Sequence, residues 1–380
     1  MQRPSRPPSL TNNRVTASPL EPRAAVAEYD PESAGFSLHL GCQGVFGLAR
    51  GLAEVMGVER ERVRVLSGDV GGSFGMKGPP YPEYVLLLHA ARALGRPIKW
   101  RDDRSDSFVA DNHGRDSQVT AELALDRDGR FLAMRVRSIG NMGAWLTPMG
   151  PHIQTVNILK NLPGPYRTPL LQVDVRCVFT NTTPIGPYRG AGRPEGVYIR
   201  ERLIDEAARE TGRDPVELRR RNAIAPDEMP FAAPSGQTYD SGEFEAVLDR
   251  TLDLADWRGF EARRTESLAR GRLRGRGVSL YLEVTAPVGK EMGGLRFGPG
   301  GRVAIVTGTK DFGQGHHAAF AQIVSTVLGI AFERIDLIRG DSAVLLHGGG
   351  TGGSRSWPAA PPCCKRPTPS SKRGARLPAI

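Results

Sequence analysis

Apolar and polar residues alternate along this chain at two spacings, and the spacing switches repeatedly. Segment 48–56 is helical in pattern and stops at Gly57, while 63–66 alternates apolar and basic residues as a strand does. Segment 82–94 predicts a helix with Pro82 in its first turn and Glu83 beside it; Gly95 and Pro97 close it. Strand patterns follow at 98–100, at 118–125 and 131–139 around the turn Asp126-Arg127-Asp128-Gly129, and at 171–179. The middle is helical. Val197, Ile199, Leu203, Ile204, Ala207 and Ala208 form one stripe over 195–210, ended by Gly212. Asp214 is placed to cap a short helix, with Pro215 first and Glu217 completing a capping box. Its Arg219-Arg220-Arg221 run reads as a solvated or partner-facing surface. Segment 244–255 is amphipathic, and 274–284 and 302–307 return to strand. The class this predicts is α+β.

One segment occurs twice. Residues 55–69 read VMGVERERVRVLSGD and residues 327–341 read VLGIAFERIDLIRGD. Each copy follows a glycine turn that carries a glutamine, Gly41-Cys42-Gln43-Gly44 or Gly313-Gln314-Gly315. Each precedes another glycine loop, at 71–75 or 348–354. The unit is loop, helix, strand, loop. Two copies are too few for a solenoid, which stacks at least three. They predict two related domains facing each other, with glycine loops at the interface to hold one ligand.

Composition narrows the classes. A hydrophobic content of 39% supports packed cores. No apolar run reaches the ~18 residues of a membrane span, and the Arg- and Pro-rich start is not a secretory signal; 1–12 reads as disordered. The net charge of +10 is uneven, because 357–380 holds five basic residues and no acid. Basic residues without interleaved aromatics or a base-reading motif argue against nucleic acid. Cys42, Cys177, Cys363 and Cys364 include no CxxC pair, so neither a zinc site nor a disulfide framework is expected, and the cytoplasm is the expected compartment. After Ser356 hydrophobic periodicity ends, so 357–380 reads as a disordered tail, out of frame with what precedes it.

Candidate chemistry lies in the loops. Glycine turns that open helices present free N–H groups suited to a phosphate-bearing ligand. Segment 71–78 is not a Walker A loop, since no Ser or Thr follows Lys77. In 187–195, Arg189 and Arg193 bracket a glycine turn that opens a helix, and arginine forks match oxyanions. Gln43 and Gln314 carry amides that can donate and accept. His316 and His317 lack further ligands at metal-binding spacing, and no Ser/His/Asp set stands out.

The loops around Gln43, Phe74-Gly75, Tyr188-Arg189-Gly190, Phe312-Gly313-Gln314-Gly315 and Thr351-Gly352-Gly353-Ser354 resemble those of the molybdopterin-binding large subunit of the xanthine dehydrogenase, aldehyde oxidase and aerobic carbon monoxide dehydrogenase family. The resemblance spans roughly 13–356. It implies a molybdenum–molybdopterin cofactor, possibly the cytosine dinucleotide form, and partner subunits carrying iron–sulfur clusters and FAD. It implies oxidation of an aldehyde or N-heterocycle C–H bond with water as oxygen source. By resemblance, Gln43 contacts the metal's oxo ligand, Phe74 and Gly75 lie beside the metal, and Arg189 lies near it. Phe312, Gly313, Gln314 and Gly315 contact the pterin, and Gly352, Gly353 and Ser354 close the other side. No residue ligates the metal directly.

Two departures matter. Ala191 occupies the substrate-pocket position where purine oxidases of the family carry a stacking aromatic and carbon monoxide enzymes a copper-binding cysteine; alanine supports neither substrate. The family's general-base glutamate has no counterpart here, so the chain as given is expected to be inactive, a fragment incomplete at both ends. The division expected is a first molybdopterin-binding domain over 13–272, with a helical insertion at 194–272, and the start of a second over 273–356. The competing reading is a non-catalytic remnant or a nucleotide-binding module without molybdenum.

Overall fold

The computed structural model describes residues 9–283 and 291–350. The chain forms two compact units, each built from two stretches: Met1–Ala17 with Val109–Glu283, and Ser18–Phe108 with Val284–Ile380.

The first unit is built on a four-stranded sheet in the order Ser9–Asn12, Ser117–Leu125, Phe131–Gly143, Leu170–Phe179. The first three strands pair antiparallel and the last runs parallel to its neighbour. Alternation puts Val119, Ala121, Met134 and Val136 on one face, where they pack against Ile158, Leu162, Ile199 and Leu203. The helix Arg193–Thr211 supplies the last two, and further along it Ile204, Ala207 and Ala208 join Tyr166, Val216, Leu218 and Leu248 in a second cluster.

Three expectations change in this unit. Ser9–Asn12, expected as part of a disordered end, is held as a strand by antiparallel pairing with Ser117–Leu125. Segment 274–284 was expected as strand, but its described part, to Glu283, forms none. It is pinned by side chains instead: Arg200 Nη2 donates to Leu280 O (2.8 Å) and Asn161 Nδ2 to Leu282 O (2.8 Å). Arg219 is not on a solvated face. It is fully buried, with Nε donating to Glu201 Oε2 (2.9 Å) and Nη2 to Asp205 (2.8 Å), while Arg200 donates to the other oxygen of Glu201 (2.9 Å). Two charges buried this deeply are tolerated only when paired, and one carboxylate serves both. Asp214 does cap its helix, accepting from Val216 N and Glu217 N (2.8 and 2.9 Å). The Glu217 carboxylate turns to Arg221 (3.4 Å).

Both copies of the repeated segment lie in the second unit. In the first, the strand Gly35–Leu40 leads through the helix Val45–Met56 to Val63–Leu66, which runs parallel to it. In the second, Val303–Thr307 leads through the helix His316–Leu328 to Ile335–Ile338, again parallel. Each first strand also pairs antiparallel with the strand before it, Ala24–Asp30 or Gly293–Phe297. The repeat is therefore a ββαβ unit built twice.

The two copies join at their Gly-Asp ends. Ser67 N donates to Gly340 O (2.7 Å) and Ser342 N to Val65 O (3.0 Å). A Cβ at Gly340 would lie 2.2 Å from Ser67 O, and φ there is +71°, so only glycine serves. Arg64 pairs with Asp341, and Arg339 with Asp69. The buried Lys310 ammonium donates to the carbonyl of Gly68.

Candidate functional site

The helix Pro82–Leu94 anchors the first loops of the second unit. Glu83 holds both terminal nitrogens of buried Arg23 (2.9 Å each), and Arg23 stacks 3.9 Å above the Tyr81 ring. Two residues upstream, Glu21 accepts from Gly71 N (2.8 Å) and from the buried Lys77 ammonium (2.7 Å). The loop after Gly71 is thus tied at both ends.

Inside it, Ser73 and Gly75 reach Gln43. Gln43 Oε1 accepts from Ser73 Oγ (2.5 Å) and Gly75 N (2.7 Å), and Ser73 Oγ also accepts from Lys77 N (3.0 Å). These bonds fix which way the buried amide faces, because its oxygen is spoken for and its Nε2 is left to donate. Phe74, between the two donors, has φ +55°, which is uncommon outside glycine and marks a loop held against its preference. Its ring is half-exposed.

In the second glycine turn Asp311 satisfies the loop and the first N–H of the helix His316–Leu328: Oδ1 accepts from Gly313 N (2.9 Å) and Gln314 N (2.8 Å), and Oδ2 from His316 N (2.8 Å). Burial pushes this carboxyl up, but the N–H groups of Gly313, His316 and Gln314, with Arg339, outweigh it and hold the acid below its ordinary range. Gln314 Oε1 folds back onto Phe312 N (2.7 Å), so the loop closes on itself and exposes Gly313 and Gly315. Burial lowers His316, which stacks on Phe320 at 4.9 Å. Lys310 is lowered by burial and then by Arg339.

The arginine loop lies in the first unit. Gly190, Ala191 and Gly192 all have positive φ (+89°, +45°, +95°), as do Arg115 and Asp116 beside them (+65°, +69°). Arg115 braces the loop. Its guanidinium donates to Tyr188 O (3.2 Å) and Arg189 O (2.8 Å) and lies 4.8 Å from the Tyr188 ring centre. It also faces fully buried Glu195 at 3.0 Å, in a geometry that gives neither Glu195 oxygen a well-formed hydrogen bond among the described residues. Asn157 Nδ2 donates to Ala191 O (2.8 Å) from a π-helical turn, Ile153–Asn157. Such turns recur at functional sites. The Arg189 side chain is exposed and Ala191 half-buried.

The residues singled out from sequence therefore fall in two places. Gln43, Phe74 and Gly75 are brought together, and Phe312, Gly313, Gln314 and Gly315 form one closed turn, all in the second unit; Arg189 and Ala191 share a strained loop in the first. Gly352, Gly353 and Ser354 lie outside the described residues. Glu21, Ser73, Arg115 and Asp311 were not assigned roles from sequence. The Asp–x–Gly spacing before the glycine turn was the available signal for Asp311. Among the described residues no group of three His, Cys, Asp or Glu side chains converges on a metal position.

Comparison with known proteins is decisive at this point. Models of the molybdopterin cofactor-binding domain match residues 8–223 and 250–361. The chain belongs to the molybdopterin-binding large subunits of the xanthine dehydrogenase, carbon monoxide dehydrogenase and aldehyde oxidoreductase family. It is 34% identical to the 6-hydroxypseudooxynicotine dehydrogenase complex subunit gamma of Paenarthrobacter nicotinovorans, over 90% of this chain and 44% of that one. It is 33% identical to the carbon monoxide dehydrogenase large chain of Hydrogenophaga pseudoflava, over 91% and 45%. The crystal structure of quinoline 2-oxidoreductase from Pseudomonas putida 86 superposes with a TM-score of 0.85 at 33% identity, covering 90% of this chain and 45% of that one. The chain thus spans about half the length of the curated relatives it matches. Molybdenum-dependent oxidoreductases are its homologues, and several of them are subunits of larger complexes. No described helix is long and apolar enough to cross a membrane.

Proposed function

We propose that this chain is the cofactor-holding part of a molybdenum hydroxylase that oxidises a C–H bond of an aldehyde or an N-heterocycle. The observation that carries the reading is the Gln43 amide. Its oxygen accepts from Ser73 Oγ and Gly75 N, which leaves Nε2 as the donating end of the amide. A buried amide locked this way suits an oxo-bearing ligand that only accepts.

Gln43, Phe74 and Gly75 would meet the metal end of the cofactor, and Phe312, Gly313, Gln314 and Gly315 the pterin. Arg189 would offer its guanidinium to an anionic or oxo group, with Gly352, Gly353 and Ser354 completing the enclosure. When bound, the cofactor supplies the two-electron redox chemistry, with water as oxygen source. The protein's part is orientation and hydrogen-bond donation. Ala191 would leave the substrate space wider than an aromatic there allows, and it offers no copper ligand. An aldehyde or N-heterocycle fits this better than a purine held by stacking or carbon monoxide. Partner subunits carrying iron–sulfur clusters and FAD would accept the electrons, in the cytoplasm. No residue of this chain is assigned as general base.

The test is metal and pterin content of the purified protein, with Gln43→Ala as comparison. The proposal expects molybdenum and pterin in equal amounts in the wild type and a clear loss in the variant. Bound nucleotide without molybdenum, unchanged by the substitution, would reject it in favour of a nucleotide-binding module.

A further inference from the structure

The carboxylate of Glu195 has no obvious employment. Its side chain is fully buried, and among the described residues its one charged partner is Arg115, at 3.0 Å. Neither of its oxygens has a hydrogen bond among them, so it does not cap the helix Arg193–Thr211 on which it sits. A carboxylate kept this deep is costly unless its partner makes use of it.

Arg115 does. On the side turned from Glu195 it donates to Tyr188 O (3.2 Å) and Arg189 O (2.8 Å). Each peptide is planar and trans, so two oxygens turned toward Arg115 direct the N–H groups of Arg189 and Gly190 away from it. The next three residues, Gly190, Ala191 and Gly192, all have positive φ, and such backbone persists only where its surroundings over-determine it. Arg115 is itself fixed from behind. Its φ is +65°, buried Gln154 Nε2 holds its carbonyl (2.6 Å), and a Cβ at Gly114 would lie 2.3 Å from Tyr188 Cβ. A guanidinium is a rigid flat fork, so an anchor on one side sets what it can reach on the other.

We propose that Glu195 is a positioning residue: it anchors the Arg115 fork, and through that fork it sets the orientation of the loop 188–192, with Arg189 and Ala191 on it. This rests on the reading of that loop as facing substrate and cofactor. Sealed from the surface, Glu195 acts only through Arg115.

The test separates charge balance from bracing. Arg115→Lys keeps a cation beside Glu195, but an ammonium lacks the flat fork that serves two carbonyls. Amides of 188–192 should exchange at least about tenfold faster in this variant, while the thermal midpoint and the exchange of 199–208 stay as in the wild type. Glu195→Gln should loosen the same loop to a similar degree, and the double variant no further, because the pair acts as one unit. A loop as protected in Arg115→Lys as in the wild type overturns the proposal. So do single effects that multiply in the double variant. If Glu195→Gln fails to fold, Arg115→Lys decides alone. The complete molybdenum-loaded complex gives a second readout, with benzaldehyde and quinoline as probes. Arg115→Lys should raise KM about tenfold and lower kcat less, as expected of a displaced binding loop, and an unchanged KM overturns the proposal. A wild type that holds no molybdenum and oxidises neither probe rejects the functional reading instead, and the loop exchange still decides the positioning.

Discussion

Arg64 and Asp341 form a two-point ion pair although 277 positions separate them: Nη2 lies 2.6 Å from Oδ2 and Nε 3.1 Å from Oδ1. Each belongs to one copy of the duplicated segment. The aspartates that end the copies, Asp69 and Asp341, each face an arginine of the other copy, Arg339 and Arg64. The duplication is therefore an internal clasp.

This clasp gives a pH signature. The hydrogen bonds from Arg64 hold the Asp341 carboxyl below its ordinary range, against the upward push of burial. A depressed acid contributes stability that is fully present above its unfolded value, about 3.9, and is lost as pH falls through the folded value. Asp341→Asn should cost about 1 kcal/mol at neutral pH, since Arg64 is half-exposed and the pair is partly screened. The difference from wild type should shrink as denaturant unfolding is repeated toward pH 3. A constant difference across that range would show that the charge is not what matters.

Asp311 is expected to organise the second glycine turn by itself. Its carboxylate accepts from four successive backbone donors, Gly313, Gln314, Gly315 and His316, so Asp311→Ala should cost about 1–2 kcal/mol. The amides of Gly313, Gln314 and His316 should exchange faster than the rest of the helix His316–Leu328. Unchanged protection at those amides in exchange mass spectrometry would count against this role.

Glu201 should be the least replaceable acid in the first unit. Arg200 and Arg219 are both fully buried on it, and removing its charge leaves Arg219 with Asp205 alone and Arg200 with backbone carbonyls. Glu201→Gln should destabilise by about 3–5 kcal/mol, seen as a large fall in thermal midpoint, whereas Glu206→Gln on the same helix should change little because its pair with Arg209 is on the surface.

The arginine loop should reject any side chain at Gly192. A Cβ there would lie 2.4 Å from Ile153 O, and φ is +95°. Gly192→Ala should cost about 1–3 kcal/mol and shift the π-helical turn that holds Ala191. Calorimetry of this variant beside Gly212→Ala, where φ is also positive but nothing crowds the new atom, separates the clash from the backbone strain.

Much of the fold was legible because local signals agree with the tertiary structure. The helix Pro82–Leu94 carries its own proline start and glycine stop, and the hairpin before Gly143 carries its own turn. The duplication pointed to a helix followed by a strand, and both copies show that pair. What sequence pattern missed depends on partners far along the chain. Segment 274–284 has strand-like alternation, yet side chains of Arg200, Glu201 and Asn161 take its backbone before any neighbouring strand could. Arg219 sits in an arginine run that looks like surface, and only Glu201, 18 positions away, makes its burial possible. At the candidate site, Gln43 and Phe74 could be named from their loops, but not the role of Ser73 in setting the amide's direction. That depends on a contact spanning 30 positions. At the second turn the role of Asp311, which accepts from Gly313, Gln314 and His316 N, is invisible to a glycine pattern alone.

The clasp has a temporal side as well. Residues 18–108 and the stretch that completes their unit are separated in sequence by the whole of Val109–Glu283. On a ribosome working from the N-terminus, Arg64, Ser67 and Asp69 emerge long before Arg339, Gly340 and Asp341 exist to meet them. The intervening unit can gather its own sheet in that interval, while the earlier strands wait with their Gly-Asp end unpaired. Contacts this distant in sequence are slow to form, and waiting strands are exposed to misassociation. The second copy of the repeat thus acts as the late key that locks a segment made much earlier, and the order of synthesis is written into where the duplicate was placed.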